Sequence, residues 1–256
     1  MSDAIRVAVA GVGGRMGGRV VRLAHEFPGV RVVAGLGLAG EATGQDESGL
    51  PVYSDPVEAI ESVDVMIDFT APPACAALAP LCAARGVAYL CASTALSDAH
   101  RHALREASVD VAVLEAANLS VGINVTAELV RRAARALPDF DVEVFELHHR
   151  HKRDAPSGTA FVLGEAIRSS RPALRDALER SHAPGPREDE TMGYAALRGG
   201  DVPGEHTVFL LGFGERIEIT HRSNSADVFA RGALRAAKWL GQQSAGYYEM
   251  RDMLGD

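Results

Sequence analysis

Apolar residues in the first part of the chain fall in short runs separated by helical patterns, an alternation that predicts a parallel sheet covered by helices. The run Ile5–Ala10 ends in Gly11-Val12-Gly13-Gly14-Arg15-Met16-Gly17, and a helical pattern carrying Val20, Val21, Leu23 and Ala24 follows. A second strand is predicted at Val30–Leu36. Strand, glycine turn, helix and strand in about 30 residues make the first βαβ unit of a dinucleotide-binding fold. The glycines have separate tasks there: one allows the tight turn, one lets backbone approach a pyrophosphate, and one lets helix and strand pack closely. Further strands are predicted at 63–69, 87–91 and 109–114, with helices at 74–85 and 97–107 between them. In such sheets ligands sit beyond the carboxyl ends of the strands, which points to the loops at 11–17, 68–70, 92–94 and 116–119.

After Asn118 the rhythm changes. A helix at 125–137 leads to a strand at 141–147, then a helix at 157–169 and a polar stretch at 172–187. Residues 207–213 and 216–222 read as two antiparallel strands joined at Gly214-Glu215, suited to an open mixed sheet. An amphipathic helix at 227–242 is expected to return to the first domain. The predicted class is therefore α/β: a Rossmann-like doubly wound parallel sheet formed by residues 1–121 and 227–256, plus a second α+β domain at 122–226.

Composition narrows the function. With 256 residues, 47% hydrophobic and 23% charged, the chain has enough apolar content for a full core. A net charge of -8 argues against nucleic acid as a partner, so an anionic ligand must meet a local positive patch. No apolar run reaches the ~20 residues of a membrane span. The start Met-Ser-Asp-Ala-Ile-Arg leads straight into a strand, from which a cytoplasmic protein is expected. Cys75, Cys82 and Cys91 lie in apolar surroundings and form no zinc pattern with the histidines, so buried reduced thiols and no metal are predicted.

The segment from Glu146 to Ala160, Glu-Leu-His-His-Arg-His-Lys-Arg-Asp-Ala-Pro-Ser-Gly-Thr-Ala, says most about chemistry. Five consecutive residues, His148 to Lys152, are cationic or can become so. A helix start follows, with Asp154 or Ser157 available as its cap and Pro156 suited to its first turn. Backbone N–H groups at a helix start beside a cationic cluster suit a carboxylate or phosphate. Of the 26 basic residues only Lys152 and Lys238 are lysines. An arginine-rich chain has thus kept at 152 the one basic side chain that can be tuned to give up a proton.

The same segment resembles the signature of the dihydrodipicolinate reductase family. The resemblance runs through Gly11 to Gly17, Asp68-Phe69-Thr70, Ala117 to Asn124, Gly204-Glu205-His206-Thr207 and Gly214 to His221. It implies an enzyme that uses NADH or NADPH to reduce a cyclic dicarboxylate, with loss of water, in the diaminopimelate–lysine pathway. It further implies catalytic roles for His148 and Lys152, and substrate binding by His149, Lys152, Gly158 and Thr159. The cofactor would lie on Gly11, Val12, Gly13, Gly14, Arg15, Met16, Gly17, Phe69, Thr70, Ala92, Ser93, Thr94, Ala116, Ala117, Asn118 and Leu119. A homotetramer built through sheets of the second domain is implied as well.

The chain also departs from that pattern. An acidic residue about 20 positions past the glycine loop ordinarily bonds the adenosine ribose. Here the count falls on Gly37, followed by Leu38, within Gly35-Leu36-Gly37-Leu38-Ala39-Gly40, so neither the acid nor an arginine for a 2′-phosphate is in place, and any strong reading of the adenosine end would fall to Glu41 or to an arginine elsewhere. The nicotinamide-side loop reads Ala92-Ser93-Thr94-Ala95-Leu96 where the family has glycines at its ends, and Leu119 replaces a phenylalanine. Two other readings share these features: a reductase of a different small dicarboxylate or imine, and a non-catalytic binding relative with a decayed cofactor loop.

Overall fold

The run Ile5–Ala10 forms β1, and Val7 to Ala10 are wholly buried, which is why it is apolar on both faces. The computed structural model describes residues 4–38, 43–178 and 185–255. After β1 come α1 (Arg15–Ala24), β2 (Val30–Leu36), β3 (Gly44–Gln45), β4 (Pro51–Tyr53), α2 (Pro56–Ala59), β5 (Val65–Asp68) and α3 (Pro72–Ala84). Then follow β6 (Ala88–Cys91), α4 (Asp98–Ala107), β7 (Ala112–Glu115), α5 (Val121–Ala136), β8 (Asp141–His148), α6 (Gly158–Arg168) and β9 (Arg175–Ala177). The chain ends with β10 (Thr191–Arg198), β11 (Gly204–Leu211), β12 (Arg216–Ser223), α7 (Asp227–Leu240), β13 (Gly246–Glu249) and α8 (Met250–Leu254). Two units divide it: Met1–Val121 with Asp227–Asp256, and Gly122–Ala226.

The first unit holds an eight-stranded sheet in the order β13-β7-β6-β5-β1-β2-β4-β3, parallel except for the β3–β4 pair. Alternation along each strand splits its core in two. Val7, Val9, Ile67, Leu90 and Leu114 pack with Val20 and Leu23 of α1 and Leu234 of α7. Ala8, Ala10, Met66, Tyr89 and Val113 pack with Cys75 and Leu78 of α3 and Leu104 of α4. Cys75, Cys82 and Cys91 are free and buried. The described residues contain no helix long and apolar enough to cross a membrane.

The second unit holds a five-stranded sheet in the order β12-β11-β8-β10-β9. β10 runs parallel to β8 and β9, whereas β11 is antiparallel to both β8 and β12. Val142 and Val144 of β8 face a core made with α5 and α6, through Val130, Ala134, Leu163 and Ile167. The period of two then carries Glu146 and His148 onto that same face, beyond the apolar part. One strand thus roots itself in the core and delivers a polar pair to its end.

Several boundaries differ from the sequence reading. α3 starts at Pro72 because prolines at its first two positions lack only N–H groups that would have had no intrahelical partner. β7 starts at Ala112, since the Val109 N–H is used in the turn after α4. α5 starts at Val121, just past an Asn118 side chain that accepts the Ser120 N–H. Pro156 precedes the α6 cap instead of entering the first turn, after a cis Ala155–Pro156 bond. β10 was not predicted: Gly193, Ala195 and Ala196 give it little strand propensity, and its place between β8 and β9 is set by tertiary pairing. β3, β4, β9, β13, α2 and α8 are too short to show a period. Of the polar stretch 172–187, residues 179–184 lie outside the described residues.

In the glycine loop the tightest backbone approach is at Gly17, where an added Cβ would stand 2.3 Å from the Gly11 carbonyl oxygen. Gly17→Ala should destabilise the protein by about 1–3 kcal/mol, the usual cost of forcing extra atoms into a packed site. Urea unfolding checks this: the midpoint should fall with an unchanged slope.

Candidate active site

The loop between β1 and α1 is built so that backbone alone faces a ligand. Gly11 has φ +75, which permits the turn, and the N–H groups of Gly11 and Val12 both donate to the Leu36 carbonyl. No side chain caps α1, whose N-cap is Gly14, so no side chain occupies the anion-attracting end of the helix. Gly13 and Gly14 are exposed, and a Cβ at Gly13 would meet nothing within 4 Å. This loop lines a cleft of about 1490 Å³, together with Gly37, Leu38, Phe69 and Thr70.

The neighbouring loops are tied to one another from below. Asp68, fully buried at the end of β5, accepts from the Tyr89 hydroxyl and, at 2.6 Å, from the Thr70 N–H. Burial pushes its pKa up against those hydrogen bonds. The Ser93 hydroxyl donates to the Thr70 carbonyl at 2.6 Å, joining the loop after β6 to the loop after β5. The Thr70 hydroxyl is buried and makes no hydrogen bond of good geometry among the described residues, though its influence helps to hold the Asp68 pKa down. An uncapped helix start behind an open glycine suits the pyrophosphate of a dinucleotide. Ala95 sits at φ +59, a left-handed conformation that glycine adopts without strain.

In the second unit the end of β8 carries a buried polar cluster. Glu146 is 1% exposed. One carboxylate oxygen accepts from Arg198 Nη2 at 2.7 Å and from the Ser157 N–H at 3.1 Å; the other faces His148 Nδ1. Ser157 caps α6 by accepting the Ala160 N–H at 3.1 Å, and its hydroxyl lies 3.0 Å from His206 Nε2. The His206 ring stands edge-on to His148, centroids 5.0 Å apart. Burial lowers the His206 pKa to about 4, so this imidazole is neutral at neutral pH. Lys152 Nζ lies 2.9 Å from the Asp154 carboxylate, which also receives the Gly158 N–H at the start of α6. Glu146, His148 and His206 approach within 4.8 Å of one another, a spacing metal ligands share. The hydrogen bonds and the positive charge that Arg198 brings to Glu146 make the trio unsuited to a cation.

Two profiles of one family match the chain end to end: "Dihydrodipicolinate reductase, N-terminus" over residues 5–119 and "Dihydrodipicolinate reductase, C-terminus" over residues 122–254. The chain belongs to the dihydrodipicolinate reductase family. Proteins named 4-hydroxy-tetrahydrodipicolinate reductase from Anaeromyxobacter dehalogenans, strains 2CP-C and 2CP-1, are each 46% identical to it over 263 residues, covering 98% of this chain and 97% of theirs. Among solved structures, a dipicolinate-bound dihydrodipicolinate reductase from Paenisporosarcina sp. TG-14 shares the fold at a TM-score of 0.82 and 22% identity, covering 96% of this chain and 97% of that one. A probable dehydrogenase from Thermotoga maritima shares it at 0.64 and 12%, covering 97% and 92%.

Within this reductase fold, most residues singled out from sequence fall at strand ends. Phe69, Thr70, Ala92, Ser93 and Thr94 follow β5 and β6, and Ala116, Ala117 and Asn118 follow β7. Met16 is partly buried, and Arg15 is exposed at the helix start. Leu119 and Ala116 are core residues, and the Leu119 carbonyl lies where a Cβ on Gly232 would stand. His148, Lys152, Ser157, Gly158 and Thr159 gather between the end of β8 and the start of α6, with the half-buried His149 ring beside His151. Ala39, Gly40 and Glu41 lie outside the described residues. The sequence reading gave no role to Glu146, Arg198, His206 or Gly204. The Glu-x-His spacing at 146 and 148 signals a shared strand face, whereas Arg198 depends on the unpredicted β10.

Gly204 is the floor under the catalytic candidate: an added Cβ would stand 2.9 Å from His148 Nε2. Gly204→Ala should therefore turn the His148 ring while leaving the fold intact. The check is a histidine NMR titration, in which His148 alone among the histidines of β8 and its flanking loop should shift.

Proposed function

We propose that this chain catalyses the NADH- or NADPH-dependent reduction of 4-hydroxy-tetrahydrodipicolinate to tetrahydrodipicolinate, with loss of water, in the diaminopimelate–lysine pathway. The observation that carries the reading is the junction of β8 and α6. There an imidazole backed by a buried carboxylate, the lysine at 152 and the N-terminus of a capped helix meet in a chain 46% identical over its length to reductases of that name.

The bound nicotinamide supplies the hydride. The protein's part is to hold a dianion and to manage protons. His149, Lys152 and the N–H groups of Gly158 and Thr159 bind the substrate carboxylates, which a net-acidic protein must meet with locally concentrated donors. His148 and Lys152 serve as proton donor/acceptor and proton donor, quenching negative charge that builds at the far end of a conjugated C=C–C=N system when hydride arrives. Burial, with Lys152 and Arg198 adding to it, holds the His148 pKa below the ordinary imidazole value, while Glu146 opposes them. The β1–α1 loop from Gly11 to Gly17 carries the pyrophosphate, and Phe69, Thr70, Ala92, Ser93, Thr94, Ala117 and Asn118 border the remainder of the cofactor.

The assembly we infer is a homotetramer in the cytoplasm. Among the described residues no helix of the second unit covers one face of its sheet, where strand alternation places Phe145, Leu147, Leu197, Phe209 and Leu211 beside Glu143, Glu205, Glu218 and Arg222, with Leu197 52% exposed. A face that mixes exposed apolar side chains with charged ones suits a partner subunit. Three buried free thiols suit a reducing compartment.

Two measurements test the assignments. Lys152→Arg keeps the charge but removes a tunable proton donor, so kcat should drop on the order of 10²–10⁴-fold in a coupled assay with the preceding synthase. Near-normal kcat would reduce Lys152 to an electrostatic ligand. Gly37 and Leu38 line the first-unit cleft and supply neither a carboxylate for the ribose hydroxyls nor a cation for a 2′-phosphate. Affinities for NADH and NADPH, measured by titration, should differ by less than about tenfold, or roughly 1.4 kcal/mol. Gly37→Glu should tighten NADH and weaken NADPH through like-charge repulsion; Leu38→Arg should do the reverse. A native preference above about 100-fold would place the reading of the adenosine end elsewhere.

A further inference from the structure

We propose that Glu146 is the positioning residue of the reaction: its buried carboxylate fixes His148 as the Nδ1–H tautomer, so that Nε2 alone gives and takes the proton. This rests on the reading above that His148 transfers protons.

The geometry leaves little choice of tautomer. Glu146 and His148 project from the same face of β8, and Oε2 faces Nδ1 within hydrogen-bonding reach. An ionised carboxylate only accepts, so the nitrogen opposite it must carry a hydrogen. Glu146 stays ionised because Arg198 Nη2 and the Ser157 N–H donate to its other oxygen at 2.7 and 3.1 Å. Burial works to raise its pKa, but the hydrogen bonds from Arg198 and His148 outweigh this and hold the carboxyl below its usual range. Nε2 has no hydrogen-bond partner among the described residues. It lies over the bare Cα of Gly204, and the edge-on His206 ring limits the tilt of the imidazole.

The titratable and charged groups facing His148 are then Glu146 on its own strand, Lys152 in the following loop, Arg198 on β10 and His206 on β11. Two of them are cations and His206 is neutral, so Glu146 is the only group of the four that favours the imidazolium. Its neighbours also link two functions. Through the Ser157 N–H the same carboxylate holds the start of α6, and Arg198 reaches from it to the Asp154 carbonyl at 2.6 Å. Proton donor and anion-binding turn are thereby kept in register by one group.

The test is Glu146→Gln in the full-length enzyme. The glutamine carbonyl can still accept from Arg198 and Ser157, but its NH₂ presents donors to Nδ1 and drives the proton to Nε2. We expect kcat to fall on the order of 10²-fold, the lower range for loss of a positioned acid or base, with KM changed far less. The limb of the kcat–pH profile that belongs to His148 should move to lower pH, because the imidazolium loses its only favourable neighbour. Nitrogen NMR of the histidine side chains should show His148 as Nδ1–H in the native protein and Nε2–H in the variant. An unchanged pH profile and tautomer in Glu146→Gln, even with reduced activity, would overturn the proposal by making Glu146 merely structural. Should the variant not fold, the native tautomer decides: an Nε2–H His148 in the unaltered protein overturns the proposal too. A native protein that shows Nδ1–H yet does not turn over the substrate would sink the assigned reaction and leave the positioning role standing.

Discussion

Glu146 in the second unit is a carboxylate buried in a place where a lone charge could not persist. Isolated there, it would take up a proton, and the hydrogen bonds it accepts would be lost. Its ionisation depends on Arg198, which comes from β10, so the site requires that β10 lie beside β8 and run parallel to it. The register sets Arg198 against His148 and the small Ala196 against Glu146. Much of the second unit can be read as the scaffold for this contact: β8 rooted in the core by Val142 and Val144, β11 bringing His206, and α6 opening at Ser157.

The first unit solves a different problem by different means. Its ligand-facing loop is nearly free of functional side chains, and glycines fix where backbone may come close: Gly11 by its conformation, Gly17 by its missing Cβ. Side chains enter only from behind, where Asp68 and Ser93 lock the loops after β5 and β6 together. The candidate ligand-facing surface is mostly backbone in one unit and a paired set of ionisable groups in the other.

How much of this was legible in the sequence follows from which forces leave local traces. The βαβ opening, the glycine loop and the strand ending at the histidines were legible, because periodicity and glycine spacing are local. The residues from His148 to Thr159 were legible as a candidate site, since a cationic run entering a helix start is unusual in an acidic chain. Arg198 was not, because β10 is held by its neighbours on both sides and its own residues scarcely favour a strand. Glu146 was legible as part of a motif but not as a hub, for its partners lie 2, 11 and 52 positions away. Leu119, read as a loop residue near the cofactor, proved to be core because Gly232 of α7 lets that segment come close.

The ion pair between Lys152 and Asp154 gives the second unit a property that its residues taken singly do not suggest. With the Gly158 N–H also turned toward Asp154, the chain supplies its own carboxylate to donors that would serve an incoming one. Occupation by an external anion is then an exchange of one carboxylate for another, with nearly equal numbers of charge contacts before and after. Charge alone gains little in such a swap. Monovalent anions of the surrounding solution have small advantage over the tethered group, whereas a rigid ligand with two correctly spaced carboxylates can displace it and engage the rest of the cluster at once. Any anion entering this turn would first have to displace Asp154 from Lys152.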